Sequence, residues 1–467
     1  MGRASNRQKV DRLTRASALA VSAAVILAAT GCKTFSDSTR ETRTALDANN
    51  VEKALSASNK ALGVKQASEV PEPLGDDDAL LLLDRAIVLQ ALQDYESSSR
   101  DFQVADKALE ILDFTRSTAQ EIARYMFSDS VGPYKARPHE KLMLNTVNML
   151  NYLARQNLEG ARVEARRFSI MRKYLLDDDK ADPQAVGLAG AAGSYFAGYT
   201  FEKSRVPDSA LRYYDEVLQA ASAPSLADPI AALMAAGGYR TPRLQSAAAS
   251  AGPTASSPDG AADVLIVINY GRVPALAAKR VPIGFALTVA AVFLSAAAVQ
   301  QANRLAAQGL VTWVNYPELL PTPADYPAPL VTIDGKAHAS HVIANVDAVV
   351  QKSWAEARGR VMAAAVTRML TRAAVGAGVG VAAGKASGRG GVGVLASMIT
   401  QASMAAADKP DTRSWATLPA RIAIVRTRLP PGKHAIEVTV LGRQHVLETT
   451  VEAGQWVLVD VAQLSTL

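Results

Sequence analysis

The chain has 467 residues, one cysteine and a formal charge of +6. A single cysteine permits no internal disulfide and excludes cysteine-rich zinc sites. Residues 1–31 hold five bases (Arg3, Arg7, Lys9, Arg12, Arg15) and one acid (Asp11), a net +4, which leaves only +2 for the rest of the chain. That balance gives no electrostatic case for nucleic-acid binding. The length exceeds one hydrophobic core, so two or more domains are expected.

Residues 1–31 read as an export signal. A basic start is followed by Ala16–Thr30, apolar or small without a charge, and by Leu27-Ala28-Ala29-Thr30-Gly31-Cys32. The apolar run is shorter than the roughly 20 residues a spanning helix needs. A cysteine at this place resembles the lipobox of bacterial lipoproteins. The resemblance implies that Cys32 is acylated and becomes the new N-terminus, held by several chains where one alone is marginal. Lys33 follows, where lipoproteins kept in the inner membrane typically have Asp, so the implied location is the outer membrane, facing the periplasm. The alternatives are an ordinary export signal with a chance cysteine, or an uncleaved anchor.

Residues 32–75 are expected to form a tether and a first helix carrying Leu46, Val51, Ala54 and Leu55. From 76 to 243 the pattern is helical. Asp76-Asp77-Asp78 precedes an apolar run and is read as helix capping, as is Asp177-Asp178-Asp179; neither has the alternating oxygen ligands of a calcium loop. Three stretches resemble tetratricopeptide (TPR) repeats: Leu82, Ala86, Leu89, Asp94-Tyr95-Glu96, Ser98, Phe102, Ala105; then Tyr152, Asn157-Leu158-Glu159, Ala161, Ala165, Phe168; then Gly198, Phe201, Asp208, Ala210, Tyr214, Val217. Ser98, Ala161 and Ala210 are spaced more widely than the roughly 34 residues of a regular array. A TPR-like domain of irregular build is expected, the alternative being an unrelated helical bundle. On its surface Tyr95, Arg100, Tyr152, Arg162, Arg166 and Tyr213 are the candidate partner-binding residues.

Residues 244–263, rich in Ser, Ala, Gly and Pro, are expected to be a flexible linker that lets two domains reorient. Beyond it Val264–Ile268 reads as a buried strand. Near the end, Ile422–Val425, Ala435–Val440, His445–Val451 and Trp456–Val461 read as strands joined by three tight antiparallel turns. The expected fold class is α+β: a TPR-like all-α domain followed by a β-sandwich-like domain, residues 264–467, with a helical insertion. Two insertion segments stand out. Val281–Val299 carries no charge, and is expected to be a buried helix or a membrane-contacting one. Gly376, Gly380, Gly384 and Gly388 recur every four residues, as in a glycine zipper that lets another backbone approach. A loose Gly/Ala linker is the alternative.

No catalytic signature appears. Gly384-Lys385 lacks the phosphate-loop glycine and hydroxyl, His139-Glu140 lacks the second histidine of a zinc protease, and no Gly-x-Ser-x-Gly elbow exists. His338 and His341 have no further ligand nearby, and no cofactor or metal is expected.

Leu82–Ala86 through Asp101-Phe102, Asn151–Leu153 through Ala161–Arg167, and Asp411-Thr412-Arg413-Ser414-Trp415-Ala416-Thr417-Leu418-Pro419 together resemble a family of largely uncharacterised bacterial outer-membrane lipoproteins with TPR-like repeats and a C-terminal β domain. The resemblance implies location and fold more than activity. The Asp411–Pro419 segment is expected to pin the crossover into the final strands, with Asp411 and Arg413 pairing; a partner-binding loop is the alternative. The expected function is a non-enzymatic, periplasm-facing scaffold for an envelope protein or peptide, held to the membrane by its lipid. A self-assembling or membrane-inserting envelope component, built on 281–299 and 376–388, is the second reading.

Overall fold

The computed structural model describes residues 33–109, 134–177, 182–252, 260–308, 311–323, 325–387 and 409–466. The signal segment 1–31 and Cys32 lie outside them. The fold is mixed α+β, with helices first and sheets after. The helices are α1 (Phe35–Ser38), α2 (Arg40–Asp47), α3 (Val51–Ala61), α4 (Asp78–Ala91), α5 (Tyr95–Leu109), α6 (Pro138–Ala154), α7 (Leu158–Leu176), α8 (Pro183–Lys203), α9 (Pro207–Ala220), α10 (Ala227–Ala236) and α11 (Pro242–Ala249).

One turn geometry joins α2 to α3, α4 to α5, α6 to α7 and α8 to α9. Asn49, Gln93, Gln156 and Arg205 each take a positive φ, between 54° and 61°. The N–H after each reaches back to the carbonyl five residues earlier: Asn50 to Ala45, Asp94 to Leu89, Asn157 to Tyr152 and Val206 to Phe201. This left-handed cap satisfies orphan carbonyls at the helix end and reverses the chain. Five residues after each turn residue a small side chain is fully buried: Ala54, Ser98, Ala161 and Ala210. The two helices of each pair therefore approach closely at the same register. Rings close the contacts, since a Cβ at Gly198 would lie 2.4 Å from Tyr214 and one at Gly193 would lie 2.3 Å from Phe168.

The strands are β1 (Ala262–Tyr270), β2 (Leu276–Pro282), β3 (Trp313–Leu319), β4 (Leu330–Ile333), β5 (Lys336–His338), β6 (His341–Asn345), β7 (Arg421–Leu429), β8 (Gly432–Val440), β9 (Arg443–Val451) and β10 (Trp456–Gln463). One sheet runs β10-β1-β7-β6, a second runs β5-β4-β8-β9, and β2 pairs with β3. Strand β1 is central, parallel to β10 (Val264 opposite Val457) and antiparallel to β7 (Ile266 opposite Val425). Its two faces enter different cores. Leu265 and Val267 join Ile422 and Ile424 of β7 in the core shared with the helices. Val264, Ile266 and Ile268 join Ile436 and Val438 of β8 in the core between the two sheets. A strand covered on both faces has no polar side to alternate, which explains the unbroken run Val264–Ile268.

A third core holds β2, β3, α12 (Ile283–Ala290), α13 (Ala296–Ala307) and the first part of α14 (Val346–Ser387). The helical layer and the first sheet are also joined by charge. Arg426 of β7 reaches Glu202 of α8 (Nη1 to Oε2, 3.0 Å) and Asp263 of β1 (Nη2 to Oδ2, 2.6 Å), and Lys203 also pairs with Asp263. These side chains are largely buried, with exposures of 6–16%, so partners in all three positions keep the charges compensated.

Several expectations are corrected by this arrangement. Residues 33–72 are not a tether: Phe35 is buried in the main core, and the Ser36 N–H donates to Thr412 at 3.0 Å. The expected linker 244–263 begins inside α11, where Leu244 is fully buried, and ends inside β1; its residues 253–259 lie outside the described ones. Because one apolar core runs from α1 to β7, the helices and the first sheet do not reorient freely. Of the three expected antiparallel turns, only β8–β9 is a hairpin. At Pro430-Pro431 the chain instead crosses from one sheet to the other, as suits residues with no N–H for a ladder. The insertion is also not purely helical, for it contains β2 to β6.

Val281–Val299 is neither one buried nor one spanning helix. It is the end of β2, then α12, a 3₁₀ turn at Ala291–Phe293 and the start of α13. Pro282 and the Leu294-Ser295 break prevent continuity, and no helix among the described residues is long and apolar enough to cross a membrane. The glycine-rich run is helical in backbone through Gly376, Gly380 and Gly384 as part of α14, rather than a linker; Gly388 lies outside the described residues. Of the acidic runs, Asp78 closes the turn before α4 by accepting the Gly75 N–H at 2.6 Å, and Asp77 makes no cap bond. Asp177 sits at the C-terminal end of α7, and Asp178 and Asp179 lie outside the described residues; the cap of the next helix is Asp182, which accepts the Gln184 N–H at 2.9 Å.

Candidate partner-binding face

The structure separates the six candidate partner-binding residues into two groups. Tyr95, at the start of α5, is half-buried; burial and the nearby Asp460 carboxylate push its phenol well above the ordinary value. Arg100 is committed to the loop before α4, donating to the carbonyls of Ala67 (2.5 Å) and Ser68 (3.3 Å) and to Asp101 (2.7 Å). Tyr152 accepts from Gln103 at 2.7 Å and lies under the Arg155 guanidinium, 4.9 Å away. These three side chains are partly buried, and Arg100 and Tyr152 are engaged within the fold.

Arg162, Arg166 and Tyr213 remain together on one face. Arg162 is half-exposed and Arg166 exposed on α7, whose opposite side buries Ala161, Ala165, Phe168 and Met171. Tyr213 of α9 stacks on Phe201 at 5.5 Å, and its hydroxyl lies 3.4 Å from the Ala165 carbonyl oxygen. Burial raises the Tyr213 phenol, while the Arg166 charge acts in the opposite sense, placing the two side chains in one electrostatic neighbourhood. Val163 and Ile170, not singled out from sequence, complete the strip at 50% and 52% exposure. Their spacing of seven along one helix, off the buried stripe, was the available signal.

The preceding helices α4, α5 and α6 are locked by buried polar pairs. Arg85 of α4 grips Asp101 of α5 at 2.6 Å and 3.0 Å and donates to Asn59 at 2.9 Å, with both charged side chains fully buried. Bidentate geometry makes this one of the stronger polar contacts available to a helix pair. Ser98 donates to the Ala86 carbonyl at 2.7 Å and accepts from Asn151 at 2.8 Å; Gln90 donates to Asn151 at 2.6 Å. The chain of contacts carries the register of α4 and α5 into α6.

The Asp411–Pro419 segment is buried in the same layer. Asp411 pairs with Arg413 at 2.7 Å, and the Arg413 carbonyl accepts from Arg137, the residue that caps α6, at 3.1 Å. The Trp415 N–H donates to Glu140 at 3.0 Å, and its ring packs 5.8 Å from Phe102 with only 1% exposure. Burial works to raise the Glu140 carboxyl, but Arg137, His139 and the hydrogen bonds from Tyr134 and the Arg137 N–H outweigh it and hold it below its ordinary value. Such occupancy leaves no free loop for a partner.

Among the described residues no group of three or more His, Cys, Asp or Glu is placed to hold a metal ion. Comparison with protein-family models, with characterised proteins and with solved structures finds no match.

Proposed function

We propose that the chain is a periplasm-facing scaffold, anchored in the outer membrane through acylated Cys32, that holds an envelope protein or peptide on the outer face of α7 and α9. In this reading the helix pairs act as TPR-like units and the two facing sheets as a β-sandwich-like unit that carries them; the likeness to outer-membrane lipoproteins of that build supports it. The carrying observation is the strip Arg162, Val163, Arg166 and Ile170, apolar and cationic side chains left open on a helix otherwise packed into the core. Such a strip suits a segment with apolar anchors and acidic flanks, bound with no chemistry.

A photo-crosslinking residue at Ile170, compared with one at the exposed Glu448 of β9, tests the proposal in cells. The expected result is an envelope partner captured at 170, absent at 448, and lost with Arg166→Glu. Equal capture at both positions, or capture indifferent to Arg166→Glu, sinks it.

A further inference from the structure

The module built from β2, α12, α13 and β3 presents a second surface, different in chemistry from the α7 strip. From Val264 to Pro317 the sequence contains no Asp or Glu, while Lys279, Arg280 and Arg304 fall within it. On α12 the residues Ile283, Ala286 and Ala290 are buried, against α14. The outer side leaves large apolar groups open: Phe285 at 44%, Val292 at 85%, Phe293 at 46% and Trp313 at 48% exposure. Trp313 faces Pro282, the residue just before α12, across the β2–β3 pair.

Cations rim this patch. Arg280 lies 5.8 Å from the centroid of Trp313, Arg358 5.9 Å from Phe285, and Arg360 5.9 Å from Phe293. Acids stand among them: Glu318 accepts from Arg358 at 3.2 Å, and the exposed Glu356 lies one helical turn before Arg360. Amphipathic aromatic and long cationic side chains in this alternation place apolar bodies at one depth and charges slightly above them.

We propose that the tip formed by α12 and the Ala291–Phe293 turn seats in the interface of an anionic phospholipid bilayer, with Val292 and Phe293 at the acyl boundary and Arg280, Arg358 and Arg360 at the phosphates. It is the bilayer that holds the acyl chains of Cys32, so this inference rests on the anchoring reading. The contact is peripheral and shallow, as the short, broken helices require.

The test uses the full acylated chain in vesicles of phosphatidylethanolamine and phosphatidylglycerol. With Cys32 acylated, Val292→Cys supplies the only free thiol for a nitroxide label, and Val446→Cys on β9 serves as the aqueous reference. At 292 collisions with oxygen should exceed those with a water-soluble nickel complex several-fold relative to 446. Combined Arg280→Glu and Arg360→Glu should abolish that excess. Equal nickel access at 292 and 446 overturns the proposal. So does a close label-to-label distance at 292 with nickel access retained, which assigns the patch to a second copy of the chain. A Cys32→Ser chain, which keeps 292 as its single thiol, separates the two readings: lipid shielding at 292 that persists there supports the seating apart from the anchor, and the intact mass of the parent reads the anchor itself.

Discussion

Thr417 and Asp84, distant in sequence, meet at a single oxygen: the Thr417 N–H (3.0 Å) and hydroxyl (2.8 Å) both donate to Asp84 Oδ1. This contact fastens the segment before β7 to helix α4. Burial pushes the Asp84 carboxyl up to about 7 despite these bonds, and Oδ2 has no partner.

Thr417→Val removes the hydroxyl donor while keeping the shape. The expected loss is about 1–2 kcal/mol, the cost of a buried acceptor losing a bond. Thr417→Ser should lose less than half as much. Urea unfolding of the three proteins measures it; a Val variant as stable as the parent would show that this contact does not hold the segment.

Asp460 of β10 predicts a pH dependence. Burial raises its carboxyl to about 7 even though Asn269 donates to it at 2.9 Å. The folded form then keeps a proton that the unfolded form releases near 4, so its contribution to stability falls as pH rises from about 4 to 7. The effect on stability is bounded at ~4 kcal/mol. His139, drawn down to about 4 by burial, acts in the opposite direction between about 4 and 6.5. Comparing the parent with Asp460→Asn cancels that term and the Asp84 term. The variant should lose markedly less stability than the parent between pH 4.5 and 7.5, as read from unfolding midpoints; parallel profiles would refute the assignment.

The repeated turns offer a third test. Gln93, Gln156 and Arg205 are exposed and hold a left-handed backbone that disfavours a β-carbon. Glycine at each position should raise stability by about 0.5–1 kcal/mol, with a smaller gain at Asn49 because asparagine tolerates that region. Thermal melts that fail to rise at any of the three would contradict the cap geometry.

Much of the helical layer was legible in the sequence because close helix approach demands small residues at fixed places, and Ser98, Ala161 and Ala210 stand there. The strand run Val264–Ile268 was legible for a similar reason, as β-branched residues bounded by Asn269 and Gly271. What escaped reading depends on distant chain segments. Arg85 and Asp101 look like surface charges until the fold closes over both. Arg100 reads as free until the loop carrying Ala67 and Ser68 folds against it. Strands β4 to β6 are too short to show a period, and β10 joins β1 across almost two hundred residues. On the candidate face, Arg162, Arg166 and Tyr213 were readable as polar positions, whereas nothing singled out Val163 and Ile170, which are exposed.

The central place of β1 has a consequence for synthesis. Its hydrogen-bonding edges belong to β7 and β10, so Val264 waits for Val457 and Ile266 for Val425. At about 5–20 residues per second that delay is roughly ten seconds or more. Throughout it, the apolar run Val264–Ile268 has no ladder, and Val264, Ile266 and Ile268 lack the strand β8 that covers them. The growing chain must therefore be kept from sticking to its neighbours until its last strand arrives, and a product that stops before Trp456 leaves one edge of β1 open to any other chain.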